Sequence, residues 1–210
     1  MPEEPTGVAQ VPTRRRQARG ERRMAEILDA AAAVFAEVGY ENTTTNAIAA
    51  RAAVSPGSLY QFFANKEAVA AALADRFVAQ MRAAHAAAFD ATDFAAIDLD
   101  QLLDRIVDPI VAFNIANPGF KALFARPDMP AGLADAAQSI QSALLGRVEA
   151  IVADRAPGVP QVERTRVARV AIQVFQAMIP LVTATTGGER AANVRELKKV
   201  LRGYLAPVIG

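Results

Sequence analysis

The spacing of helix starts and stops between residues 24 and 66 constrains the fold more than any other feature of the chain. Met24, Ile27, Leu28, Ala31, Val34, Phe35 and Val38 recur at steps of three, one and three, which is one face of an α-helix. Gly39 follows as a residue suited to end it. Thr44 is placed to cap a short helix bearing Ile48, Ala49 and Ala52. Only Ala53 and Val54 separate that helix from Ser55-Pro56. Ser is a preferred N-cap, and Pro suits the first helical position because its missing N–H would find no partner there. Asn65 offers the next cap, and Lys66-Glu67 open a long helix with the stripe Val69, Leu73, Phe77, Met81 and His85.

Two short helices joined by a tight turn form a helix-turn-helix, whose second helix can enter a major groove with its N-terminal residues toward the bases. The helix from Pro56 to about Phe62 is barely two turns long and buries little. Leu59 and Phe63 are expected to anchor it, leaving Ser55, Gly57, Ser58, Tyr60 and Gln61 outward. Small and polar groups there permit close approach to phosphates and hydrogen bonds to base edges. A helical corner inside an ordinary bundle is the plainer alternative.

Charge favours the first reading. Net charge is only +1, yet residues 14–23 hold six Arg against one Glu, a local +5 that leaves the other 200 residues at −4. Such a block is a footprint for phosphates or anionic lipid; it is equally compatible with a solvated arm that has no partner. Residues 1–13 contain three Pro and no apolar periodicity, so residues 1–18 are expected to form an unordered basic arm. No apolar run of signal-peptide length follows it, and the uncharged stretch 170–188 is interrupted by Gln173, Gln176, Pro180 and Gly187-Gly188. A cytoplasmic protein without a membrane span is expected.

Composition settles the class. Forty-seven of 210 residues are Ala, the best helix former and a poor strand former, so an all-α fold is expected. With no Cys and a single His, thiolate zinc sites, iron–sulfur clusters and Cys or His–His chemistry are excluded. There is no Gly-rich phosphate loop and no Gly-x-Ser-x-Gly elbow. No catalytic residue, metal or cofactor is therefore expected, and an enzyme would have to rely on carboxylates alone.

Gly39-Tyr40, Thr43-Thr44, Ile48-Ala49, Ala52, Val54-Ser55, Gly57, Leu59-Tyr60, Phe63 and Lys66-Glu67 resemble, in register and without a gap, the N-terminal signature of the tetracycline-repressor (TetR) family. The resemblance covers roughly residues 20–70. It implies an all-α homodimeric regulator with a three-helix DNA-binding domain, here 19–70, and a larger ligand-binding and dimerisation domain, here 71–210. It also implies a DNA-facing set of Thr44, Thr45, Ser55, Pro56, Gly57, Ser58, Tyr60, Gln61 and Lys66. Lys66 opposes the macrodipole in its helix's first turn, which an external phosphate would compensate. The chain departs from the family pattern twice, with Ala53 where Gly is usual in the turn and Phe62 where His or Tyr is common.

The signature vanishes after about residue 90. Six Asp between 90 and 108 lack the spacing of a calcium loop and read as caps and a solvated helix face. Pro109, inside the helix from Leu99 to Phe113, is expected to kink or divide it. From Val167 to Val182 apolar residues occur nearly all around, implying burial on two sides, one of them against a partner. The final helix, Arg190 to about Ala206, carries Val194, Leu197, Leu201, Tyr204 and Leu205 on one face. By resemblance this pair forms the dimer interface. His85, Phe113, Asn114, Phe120, Phe124, Gln141, Phe175 and Met178 are the candidates for binding an apolar or amphipathic small-molecule effector, although the same residues could fill an ordinary core. The functional expectation is a ligand-released repressor bound as a homodimer to palindromic double-stranded DNA. The alternative is a helical lipid or small-molecule carrier, or a membrane-surface protein using the Arg block.

Overall fold

The computed structural model describes residues 11–89, 93–124 and 131–210. Among them there are nine helices and no strand: α1 (Val11–Asn42), α2 (Thr45–Arg51), α3 (Pro56–Tyr60), α4 (Lys66–Phe89), α5 (Leu99–Ala116), α6 (Pro118–Phe124), α7 (Ala131–Arg155), α8 (Gln161–Thr183) and α9 (Gly187–Ile209). The chain divides into two units between Leu73 and Ala74, inside α4.

In the first unit, Ile27, Ala31, Phe35, Ile48, Leu59 and Val69 are all but inaccessible to solvent. Leu59 and Phe63 anchor the α3 region as their spacing predicts. Met24 and Val38, at the two ends of the α1 stripe, are instead 39% and 46% exposed, so the stripe is buried only over its middle turns. Gly39 has φ +77° and breaks the helical path of α1, with nothing near its α-carbon that a side chain would strike. Glycine is required there by backbone conformation alone. Residues 11–18 are helical within α1 rather than part of an unordered arm. Three Arg, Gln17 and Ala18, five of its eight residues, are good helix formers. Residues 1–10 of that arm lie outside the described residues.

The caps read from sequence are in place. Thr44 Oγ1 accepts from the Ala47 N–H at 3.1 Å, Ser55 Oγ from the Ser58 N–H at 3.1 Å, and Asn65 Oδ1 from the Ala68 N–H at 2.8 Å. α3 is shorter than expected, stopping at Tyr60 with Gln61 as its C-cap.

The second unit is a helical bundle whose core joins α5, α7, α8 and α9 through Leu102, Val107, Val152, Val182, Leu197 and Leu201. α5 runs unbroken through Pro109. Packing against α8 and α9 holds the turns on either side of the lost hydrogen bond. The Asp residues act as caps and surface partners. Asp98 forms a reciprocal capping box with Gln101, and Asp93 accepts from the Ala95 N–H. Lys198 on α9 binds Asp104 at 2.7 Å and Asp108 at 2.6 Å, and Arg202 binds Asp100 at 2.8 Å. Burial pulls the Lys198 ammonium down, but the two carboxylates outweigh it and its pKa lies above the ordinary lysine value. Asp90 lies outside the described residues.

Arg155, the last residue of α7, donates to the Ile209 carbonyl at 2.8 Å and to those of Phe94 and Ile97 at 2.8 and 2.7 Å. One guanidinium thus closes the C-terminal end of α9, where a cation suits the dipole, and pins the segment leading into α5.

Ala53, in the turn between α2 and α3, has φ +52°. That conformation costs an L-residue about 1–2 kcal/mol, partly offset in any comparison with Gly by glycine's larger entropy loss on folding. Ala53→Gly is expected to raise stability by roughly 0.5–1 kcal/mol, seen as a higher urea midpoint at unchanged slope.

Candidate functional site

The DNA-facing candidates all lie in the first unit. Thr44, Ser55, Pro56, Gly57, Tyr60 and Gln61 are exposed, and Thr45, Ser58 and Lys66 are half-buried. Thr45 Oγ1 and the Tyr60 hydroxyl share a hydrogen bond of 3.0 Å, which ties the start of α2 to the end of α3. Ser55 and Ser58 hydroxyls are 2.9 Å apart. Tyr60 is 51% exposed, an aromatic ring held in solvent by a polar tether. A β-carbon placed on Gly57 would meet nothing closer than Ser55 Oγ at 3.9 Å. Nothing inside the fold therefore demands glycine at this helical position, and the bare backbone leaves room for something outside it.

Lys66 differs from its expected role. Its ammonium donates to the Tyr40 carbonyl at 3.0 Å and the Glu41 carbonyl at 3.3 Å, and lies 4.3 Å from the centre of the Tyr40 ring. The charge that opposes the dipole of α4 is compensated by the carbonyl end of α1. Arg51, which sequence did not single out, is paired with Glu37 through two hydrogen bonds of 3.1 and 2.5 Å. That hydrogen bonding raises the arginine pKa and lowers the glutamate.

The second unit contains a cavity of about 720 Å³, within the range of small-molecule sites. Of the effector candidates, His85, Asn114, Phe120, Phe124, Gln141 and Phe175 line it. Phe113 and Met178 do not. Phe113 is buried behind the wall, edge-on to Phe120 at 5.1 Å, and Met178 packs against the bundle core. Lys121, Asn117, Ile140 and Gln176 join the lining. Lys121 could have been found, because Asn117, Phe120, Lys121 and Phe124 share one face at helical spacing. A smaller void of about 80 Å³ nearby is walled by Leu, Ile, Val, Ala and Phe side chains alone and is a packing gap in the core.

Two family models match the chain. Residues 27–73 match "Bacterial regulatory proteins, tetR family" and residues 98–205 match "Tetracyclin repressor-like, C-terminal domain". The chain belongs to the TetR family. It is a DNA-binding transcriptional regulator. An A-factor receptor protein of Streptomyces griseus is 47% identical over 60 residues, 29% of this chain and 22% of the receptor's own length. A TetR-family regulator from Streptomyces coelicolor is 28% identical, with 89% of this chain and 99% of that one covered at TM-score 0.56. A second from the same organism, SCO4454, shares the fold at TM-score 0.70 and 19% identity, covering 90% and 97%.

In this TetR-family regulator His85 is 4% exposed and rests edge-on to Phe89. Among the described residues its ring nitrogens have no hydrogen-bond partner. Burial pulls its pKa from 6.5 down to about 4, and the positive charge of Arg147 adds to the shift. The imidazole is neutral at physiological pH. Below pH 6.5 the unfolded chain takes up a proton that the folded chain refuses until about pH 4. Stability is therefore complete above pH 6.5 and falls as pH drops through this window, by on the order of 2–3 kcal/mol. His85→Gln should flatten that part of the profile of unfolding free energy against pH.

Proposed function

We propose that this regulator is a ligand-released repressor that binds a palindromic operator as a homodimer, through α3 and the N-terminus of α2. The observation that supports the DNA-facing set best is Gly57: an exposed glycine in a helix, with no demand for glycine from within. Ser55, Pro56, Ser58, Tyr60 and Gln61 flank it in the chain, Thr44 and Thr45 open the helix that the Thr45–Tyr60 bond ties to α3, and the half-buried Lys66 fastens α4 to α1. The Arg-rich start of α1 supplies non-specific attraction to the backbone. Gly57→Ala is expected to leave stability unchanged or slightly higher. It should also weaken binding to a duplex selected from a random-sequence pool by at least about tenfold, read by fluorescence anisotropy. Unchanged affinity would remove α3 from the interface.

Support for the homodimer comes from the apolar surface of the last two helices. α8 and α9 pack against each other, yet Val170 and Leu181 on α8 and Val200 on α9 remain 36%, 51% and 44% exposed. α8 is thus buried on one side only within a single chain, and the other side is the proposed partner face. A single recognition helix as short as α3 binds weakly, and two-fold symmetric half-sites are the usual remedy. Leu181→Asp should give a monomer in sedimentation analysis and lose specific duplex binding, with helix content retained.

The effector site proposed is the cavity of the second unit, with His85, Asn114, Phe120, Phe124, Gln141 and Phe175 in its wall. Binding there would shift α4 and with it the separation of the two recognition helices, which must match half-sites about one helical turn apart. The protein acts by binding and carries no reaction of its own, in the cytoplasm. No helix among the described residues is long and apolar enough to cross a membrane.

A further inference from the structure

The polar groups of the cavity wall sort into those already engaged and those that are not. Asn114 and Asn117 donate their amide N–H to the carbonyls of Ile110 and Phe113, at 2.8 and 2.9 Å. Thr183 donates to the Ile179 carbonyl at 3.0 Å, and the Gln176 amide oxygen accepts from Gln173 at 3.2 Å. These four are bonded within their own helices. Three remain without a hydrogen-bond partner among the described residues: His85, Lys121 and Gln141. Each carries at least one N–H donor.

Formal charge is equally one-sided. No Asp or Glu is among the described residues that line the cavity, and His85 is neutral, so Lys121 supplies its one formal charge. A cation placed here would give up hydration and meet a like charge without any carboxylate to compensate it. A carboxylate would meet an ammonium, in the stronger class of charge-assisted hydrogen bond. The remainder of the wall is apolar and aromatic. Phe120 and Phe124 stack at 4.6 Å, and Phe113 and Phe77 both meet Phe120 edge-on, at 5.1 and 5.8 Å. Rings braced in this way offer a firm surface for a hydrocarbon chain or ring.

We propose that the cavity takes a mono-anionic amphiphile: an organic acid whose carboxylate pairs with Lys121 and whose apolar part lies against the Phe120–Phe124 wall. The assignment rests on the reading of this cavity as the effector site and adds the chemical class of the effector.

The test uses decanoate, 1-decanol and decyltrimethylammonium, which share a tail and differ in head charge, titrated calorimetrically into the full-length protein without DNA. Decanoate is expected to bind about tenfold or more tightly than decanol, and the ammonium most weakly. Lys121→Met should bring decanoate to the affinity of decanol while leaving decanol unchanged, and Lys121→Arg should retain the preference. Lys121 is exposed, and circular dichroism with a thermal midpoint verifies that each variant is folded. The proposal is overturned if the ammonium binds as tightly as the acid, if the preference survives in Lys121→Met, or if none of the three binds. Release of the selected duplex is measured separately. Acid binding without release removes the ligand-release reading and leaves the acid assignment standing; release by the ammonium but not by decanoate does the reverse.

Discussion

A helix of five residues cannot hold itself together. Nucleation fixes several residues for one hydrogen bond, and isolated helices need about 12–15 residues to be even marginal in water. α3 spans only Pro56–Tyr60, so its geometry must be imposed from outside. Ser55 and Pro56 settle its first turn, Leu59 is wholly buried, and the Thr45–Tyr60 bond fixes its far end against α2. Full burial of Leu59 is worth roughly 1.5–3 kcal/mol, the largest single contribution a helix this short receives. The surface left over is small because most of the helix's interactions are spent on placing it, and a placed, polar, nearly bare helix is what base readout requires.

The same logic explains Lys66. A lysine in the first turn of a helix is electrostatically misplaced unless something negative answers it. Here the carbonyl end of α1 does so, and the Tyr40 ring shields the ammonium from one side. Glu67, the next residue, accepts from the Tyr40 hydroxyl at 3.4 Å. Two adjacent residues at the start of α4 thereby hold the residue that follows the Gly39 break. Arg155 does comparable work in the second unit, where three backbone carbonyls converge on one fork. In both units a single cation gathers chain ends that no apolar contact could orient.

Much of this was legible in the sequence, and the reason is local. Caps, the Pro at a first helical position and the Gly39 break depend on a few neighbouring residues, so Thr44, Ser55, Asn65 and Gly39 declared themselves. The positive φ of Ala53 falls at the turn position where the resembling family usually carries Gly. What sequence misjudged depends on distant partners. Lys66 could not be seen to reach residues 40 and 41. Phe113 and Phe120 are four and three positions from Asn117 and equally aromatic, yet Phe120 lines the cavity and Phe113 stands behind it. Pro109 leaves α5 intact because α8 and α9, 52 to 100 residues later, pack against that helix. Apolar residues occur on both sides of α8, and a single chain leaves Val170 and Leu181 exposed.

On the proposed mechanism, α4 is the element through which an effector must act. Lys66 and His85 belong to the same helix, α4. An effector that lowers duplex affinity a hundredfold must bind the released state a hundredfold more tightly than the DNA-bound state, a difference of about 2.8 kcal/mol. Apolar contact alone gives that difference only if the cavity changes volume. A head group held by Lys121 on α6, in a cavity that His85 on α4 also lines, feels a displacement of α4 as a change in the shape of its site. The unengaged donors are thus the part of the wall best suited to couple occupancy to the position of α4, and the stacked phenylalanines to provide affinity shared by both states.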